Sequence, residues 1–402
     1  MLDAVIILPP APGFNFDGSP KRIVRLGGNR AKVLRCRIER GALPAHSSVD
    51  TGISILEPVD HCVINQNELI GCGIQYAGGG ARYTRCTGNR LTRPIGNGLT
   101  GTGNNPRRSS IGHQLLDNKV IGALRMGIEE QSRSFDRPPS HISGTLMLRN
   151  LVVGGPSAEY FGISAVGEDT ILEDNRVVDW PSGYAVELYW NHGAKVRRNV
   201  IEWRNGNPGN VYGIAINPGS GPNLNRPVEV EENTITRPYW AVRLAKGELL
   251  FNRNTITDAK RGILDVDPGS PTVVVANANL VFLNERNRSG GVRTVFAIHG
   301  RGALADNRVH YGAGADGGLH GERVFFITGP GIVVRNNLVE TSNIRAGGDF
   351  VTVITAVDGR PSGASILGNR LIGEGSADLS RFRAATLRDN TFGPDGRMSF
   401  GS

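Results

Sequence analysis

The chain has little of what builds a helical, membrane-spanning or disulfide-stapled protein. Its 402 residues contain no run of 18 apolar residues, so no stretch reads as a transmembrane helix. No stretch keeps a helical apolar period. Cysteine is scarce: Cys36, Cys62, Cys72 and Cys86 are all there is. None has CxxC spacing, so a metal knuckle or redox pair is not indicated, and buried free thiols are expected. Lysine is rarer than usual, 6 against 39 arginines within a net charge of +8. Those arginines are spread along the chain rather than gathered in a basic stripe. A polyanion partner fits them, but nucleic acid is not expected as one. The Gly101-Thr102-Gly103 turn has no Gly-Lys-Ser/Thr and no helix behind it, which excludes a phosphate loop. The opening MLDAVIILPPAPGF has too short an apolar stretch, Ala4 to Leu8, and no basic flank, so no signal peptide is visible.

What is present is a repeat. In Thr170-Ile171-Leu172-Glu173-Asp174-Asn175-Arg176-Val177 and Ala194-Lys195-Val196-Arg197-Arg198-Asn199-Val200-Ile201, an apolar residue lies on each side of an Asn. The same Asn recurs at 67, 89, 118, 150, 175, 199, 233, 254, 279, 307, 337, 369 and 390, with gaps of 21 to 34 residues. Cys36 takes its place one period earlier. The apolar runs are three to six residues long and rich in β-branched side chains, which predicts short strands. Parallel strands without crossover helices predict a solenoid in which each period is one coil. The Asn is expected at a sharp bend in left-handed backbone, its amide bonding to identical amides above and below at ~4.8 Å.

This register resembles the right-handed parallel β-helix repeat of the pectin-lyase-like superfamily, to which phage tailspikes are similar. The resemblance implies an all-β, single-stranded right-handed parallel β-helix of about 13–14 coils with an internal Asn ladder. It covers residues 31–393, with an extended arm at 1–30 and a tail at 394–402. Polar insertions at 98–110, 131–141, 217–227, 284–293 and 312–322 are candidate rim loops. No catalytic motif of the family transfers. Ile298-His299-Gly300 is half of a Gly-His-Gly motif, Asn254-Thr255-Ile256-Thr257-Asp258 is a loose echo of another, and there is no adjacent Asp pair.

All four tryptophans, Trp180, Trp190, Trp203 and Trp240, fall within 61 residues, with Tyr184, Tyr189, Tyr212 and Tyr239 among them. A thin solenoid core prefers Ile, Val and Leu. Trp180, Tyr189, Trp190, Trp203 and Trp240 are therefore candidate platforms for sugar faces, with an interface or plain packing as the alternatives. Aligning the strands that follow Gly127, Gly162, Gly183, Gly213 and Tyr239 places Glu129, Gln131, Ser164, Glu187, Asn217 and Arg243 on one face over small residues. Glu187, Asn217 and Arg243 are expected to stack on successive coils. Glu129 and Glu187 are two coils apart, about 9–10 Å, the wide end for an inverting glycosidase pair. Asp265 and Asp267 share a strand face about 6–7 Å apart, although strict alignment turns them inward and argues for a shifted register. They suit an acid and a water-activating base, or a solvated strand end. Ca2+ is conceivable there, but no clear metal site and no cofactor are defined. His192 and His299 read as surface turn residues.

These residues leave two readings open. One is a tailspike-like β-helix that binds, or also depolymerises, a cell-surface or extracellular polysaccharide, acidic in view of the Arg excess. Glu187 and Asp265 are then the first candidates for acid and base, and Asn217 and Arg243 for substrate binding. The other is a purely structural or adhesive virion component. A secreted lyase or glycoside hydrolase is a further alternative, against which the missing signal counts. The first two imply a virion or extracellular location, virion proteins as partners and a closed homo-oligomer, a trimer being expected.

Overall fold

A computed structural model describes residues 1–7, 22–40, 51–103, 105, 107–132, 142–189, 192–217, 226–268, 272–285, 292–315, 321–341, 351–356, 363–373, 375–379, 382 and 385–392. The chain is an all-β parallel β-solenoid of the right-handed type. Among the described residues the one helical element is a single 3-10 turn, Ala313–Ala315. The chain divides into two compact units, Met1–Val211 with Asn217–Asn223, and Tyr212–Ile216 with Leu224–Ser402.

In the first unit one coil reads Ile171–Glu173, Arg176–Val178 and Tyr184–Tyr189, three short strands belonging to three separate sheets. Each strand pairs in parallel with its counterpart one coil away, so like residues form inward columns. Met147, Leu172 and Val196 line up in the first sheet, and Val152, Val177 and Ile201 in the second. Ile163 and Val186 face each other in the third. All eight are buried. Removing each such side chain from water contributes about 1.5–3 kcal/mol.

The second unit repeats the scheme with larger rings. Its first-sheet column runs Val230, Phe251, Ala276, Leu304, Val334, Ile366. Its second runs Ile235, Ile256, Val281, Val309, Val339, Leu371. Its third runs Val242, Leu264, Phe296, Phe325, Ile354, where Phe296 and Phe325 stack at 5.5 Å.

The Asn ladder is present in both units. In the first, Asn67, Asn89, Asn118, Asn150, Asn175 and Asn199 each pass an amide hydrogen bond to the next. In the second the chain of amides runs from Asn233 through Asn254, Asn279, Asn307, Asn337 and Asn369 to Asn390. Asn175 shows the satisfaction of one rung. Its Nδ2 donates to Asn199 Oδ1 at 3.0 Å and Met147 O at 2.8 Å. Its Oδ1 accepts from the backbone N–H and Nδ2 of Asn150, both at 2.9 Å. Cys36 heads the first ladder, its N–H donating to Asn67 Oδ1. All four cysteines are buried free thiols.

One expectation about the ladder needs correcting. The left-handed residue is the one before the Asn: Asp117, Arg149, Asp174 and Arg198 have φ of 53–57°, and no ladder Asn has positive φ. The reason is division of labour at the bend. The left-handed residue turns its side chain outward, which lets the following Asn point its amide into the coil. The outward side chains pair up on successive coils, Arg149 with Asp117 at 2.7 Å and Arg198 with Asp174 at 2.9 Å. Arg253 pairs with Glu232 in the same way, and the bend residue Arg35 pairs with the strand residue Asp3. Four of the 39 arginines, Arg35, Arg149, Arg198 and Arg253, make this surface lattice.

The coils also begin earlier than Lys32. Leu2–Asp3 pairs with Lys32–Leu34, Ile6–Ile7 with Arg37–Glu39, and Arg22–Leu26 with Thr51–Ile55, all in parallel. The expected arm therefore contributes strands wherever it is described. Ala4, at φ 53°, stands where the bend residue stands in later coils, and Val5 where the Asn stands, so nothing in the sequence marks this coil. Residues 8–21 and the tail from 393 lie outside the described residues.

Candidate functional site on the third sheet

In the first unit the outer face of the third sheet carries a row of polar side chains. Register sets Thr100 opposite Glu129, Glu129 opposite Ser164, and Ser164 opposite Glu187. Alternation keeps Ile128 and Glu130 inside while Glu129 and Gln131 face out. The row is dry for a surface, since Thr100, Glu129, Ser164 and Glu187 are all buried.

Both carboxylates are held by neutral donors. Glu129 accepts from the Asn97 and Gln131 side-chain amides. Glu187 accepts from Ser164 Oγ at 2.9 Å and from Asn217 Nδ2 at 3.2 Å. Burial raises the pKa of Glu129, opposed by the Gln131 hydrogen bond and the Arg125 charge and reinforced by the Glu187 charge. Burial likewise raises Glu187, opposed by the Ser164 and Asn217 hydrogen bonds. Two rungs separate the carboxylates, about 9–10 Å along the stack, with Ser164 between them. Such a pair can accept sugar hydroxyls, and it has the spacing for a proton donor and a water-activating base.

In the second unit the outer face of the third sheet carries a different group. Register aligns Ala215, Arg243, Asp265 and Ala297. Arg243 thus lies beside Ala215. Asp265 faces outward opposite Arg243, the shifted register for which its sequence position argued. Burial raises its pKa, with Arg243 opposing and Asp267 reinforcing. Asp267 is clasped by Arg243 through contacts of 3.2–3.3 Å, and Arg243 lies over the Tyr212 ring at 5.9 Å. Tyr212 meets Tyr239 edge to face. His299, read from sequence as a surface turn residue, is half-buried; its Nδ1 lies 2.7 Å from Thr328 Oγ1, and burial lowers its pKa. His192 is buried.

Three of the four tryptophans are buried. Trp180 and Trp203 are 0% and 1% exposed and Trp240 only 9%, so Trp180, Trp203 and Trp240 offer no face to a ligand. Each of the first two indoles donates to a backbone carbonyl, Trp180 to Tyr160 O at 3.3 Å and Trp203 to Trp180 O at 2.7 Å. Trp240 lies against Gly262, where an added Cβ would come within 2.1 Å of the ring. At the coil corners an indole fills the space between rungs and brings a donor for a bend carbonyl, which explains its use in a thin core. Trp190 lies outside the described residues, and Tyr189 is half-exposed at the end of its strand.

Four neighbours of the row escaped sequence reasoning: Asn97, Arg125, Tyr160 and Phe161. Phe161 and Tyr184 occupy like places in consecutive coils, which was the available signal. Among the described residues no cluster of three or more His, Cys, Asp or Glu is placed to hold a metal ion. An open pocket of about 630 Å³ lies elsewhere in the first unit, and its charged residues, Arg25 and Glu57, are paired with each other.

No protein-family model matches the chain, and no curated protein matches it. Solved structures with a similar fold include a PL6 alginate lyase in complex with trisaccharide, 12% identical over 89% of this chain and 85% of that one, TM-score 0.49. A DFA-IIIase from Arthrobacter chlorophenolicus A6 in complex with DFA-III is 12% identical over 89% and 88%, TM-score 0.48. The tailspike of E. coli bacteriophage HK620 is 12% identical over 95% and 71%, TM-score 0.42. At this identity the likeness concerns the fold, and no residue role passes from those proteins to this one.

Proposed function

We propose that the protein is a glycan-binding β-solenoid, tailspike-like in role, that lays a polysaccharide along the outer face of its third sheet. The observation that carries this is the in-register row Glu129, Ser164, Glu187, whose dry acceptors are already held by Asn97, Gln131 and Asn217. Fixed acceptors and amides beside small residues suit the hydroxyl edge of a sugar chain. The test is retention of the purified protein on a panel of immobilised polysaccharides, with Glu187→Gln and Asn217→Ala as controls. If no polysaccharide retains it, the reading fails.

A second reading, cleavage as well as binding, is favoured by the spacing of Glu129 and Glu187 and by the upward direction of both pKa values. Release of new reducing ends from the polysaccharide that binds separates the two. A closed homo-oligomer, a trimer, and a virion or extracellular setting belong to the tailspike-like reading. Light scattering that shows a monomer at micromolar concentration would count against the trimer.

A further inference from the structure

We propose that Tyr160, Phe161 and Tyr184 form a stacking subsite for an uncharged pyranose ring, flanking the Glu129–Glu187 row. The inference rests on the glycan-binding reading and specifies the sugar class. Phe161 and Tyr184 are register partners whose rings stack at 5.4 Å with 4° between planes. Tyr160 is 47% exposed, 6.2 Å from Phe161 and tilted by 58°. Together the three rings make a bent apolar step at the start of the strands that carry Ser164 and Glu187. Three residues at 3.3 Å each put the step about 10 Å from the row, within the reach of one short oligosaccharide.

The step is held rigidly. Tyr160 has φ 59°, a backbone conformation rare for a bulky residue. Its carbonyl accepts from the buried Trp180 indole at 3.3 Å and from the Tyr184 N–H at 3.2 Å. Gly183 permits this approach, since a Cβ there would lie 2.1 Å from Tyr160 O. Rings of this kind meet the C–H face of a sugar, while the row beyond meets its hydroxyls.

The charges select the sugar. Glu129 and Glu187 face this side, and a uronate carboxylate laid along them would meet like charge. The cation at the step, Arg125, lies 5.2 Å over the Tyr160 ring and 3.9 Å from Glu159, so it is already balanced. The acidic chain expected from the Arg excess is therefore not what this part of the face fits.

Titration calorimetry with two probe sets tests the proposal: neutral malto-, cello-, xylo- and chito-oligosaccharides, and acidic oligoalginate and oligogalacturonate. A neutral probe is expected to bind. Tyr160→Ala and Tyr184→Ala should each weaken it at least tenfold without changing the melting temperature by more than a few degrees, and Tyr184→Phe should bind as wild type. Unchanged affinity for the neutral probe in the double alanine variant overturns the subsite and leaves the function standing. Tighter binding of an acidic probe overturns the sugar class. Binding of no probe in either set, or of a protein alone, overturns the function and the subsite together.

Discussion

The Tyr76 hydroxyl donates to Glu130 Oε1 at 3.1 Å inside the coils of the first unit. Thr145 Oγ1 and the Val166 N–H also serve this carboxyl, which is fully buried and pushed up to about 7, chiefly by desolvation. On the other side of Tyr76, His113 meets the ring edge at 5.5 Å and is lowered by burial to about 3. It accepts from the Thr84 N–H on Nδ1, so it is held neutral with the proton on Nε2, facing Ser110. These two groups act on stability with opposite signs. Glu130 is raised, so its contribution is complete below about 4.5 and is lost as pH rises to about 7. His113 is lowered, so its contribution is complete above 6.5 and is lost as pH falls toward 3. Between 4.5 and 6.5 their slopes oppose, each at most about 1.4 kcal/mol per pH unit. Glu129 and Glu187 add to the Glu130 side, so each variant is read against its parent. Glu130→Gln should make the melting temperature climb more steeply with pH across this window, and His113→Gln should make it fall. Thermal scans that superimpose for all three proteins would rule out both assignments.

Asn199 gives the test of the ladder. Its Oδ1 accepts both Asn175 donors, at 2.9 and 3.0 Å, and its Nδ2 serves Leu172 O and Arg197 O. Asn199→Leu orphans these groups inside the coil, at about 1–3 kcal/mol for each that finds no substitute. A loss of about 3 kcal/mol or more in urea unfolding is expected. Asn199→Asp should recover little of it, because a carboxylate cannot donate to the two carbonyls. A loss below about 1 kcal/mol would mean that the ladder marks the fold without supporting it.

The ladder could be read from the sequence because few residues other than Asn donate and accept through one planar group at a bend. Where another residue takes its place the trace is lost, and Ala4-Val5 hid the first coil for that reason. The site was legible in part. Alternation placed Glu129, Ser164 and Glu187 on one face because each follows a Gly-led strand start, and Asn217 meets Glu187 from the end of its own strand. Strict alternation from the strand start would turn Asp265 inward; Gly262 aligns with Trp240, which is the register shift that its sequence position argued for. Tryptophan misled for a steric reason. Asp179 and Pro181 flank Trp180 with turn residues, and the turn folds its indole inward to reach Tyr160 O. Tyr160 and Phe161 lie before the periodic segment, so only the like placement of Phe161 and Tyr184 in consecutive coils marked them.

The second unit holds a buried ion pair whose energetics can be separated. Arg293 Nε lies 2.8 Å from Glu322 Oε2, with side chains 2% and 0% exposed, and Arg293 Nη1 reaches Ala259 O and Glu285 O at 3.3 Å. Glu322→Gln leaves a guanidinium without its counter-charge and should cost about 3–5 kcal/mol. The double change Arg293→Met with Glu322→Leu should be closer to wild type than that single change, since a pair of apolar groups pays no desolvation. Equilibrium unfolding of wild type, Arg293→Met, Glu322→Leu and the double variant closes a cycle and gives the coupling. If Glu322→Gln is neutral, the pair is not buried as described.

The last prediction asks whether the row on the third sheet binds only or also cleaves. For cleavage, one of Glu129 and Glu187 must be protonated while the other is ionised, and burial pushes both upward. Glu129 also feels the Glu187 charge, which raises it further, and it is the expected acid; Glu187, held by Ser164 and Asn217, is the expected base. With the polysaccharide that binds, Glu187→Gln should retain affinity within about threefold while reducing-end release falls at least a hundredfold, the scale of a lost general base. Glu129→Gln should do the same and remove the alkaline limb of the rate profile, because that limb reports the acid losing its proton. Release that persists in either variant would place the chemistry elsewhere. Tight binding with no release by the wild type would make Glu129 and Glu187 hydroxyl acceptors, and the two Gln variants would then weaken affinity instead of rate.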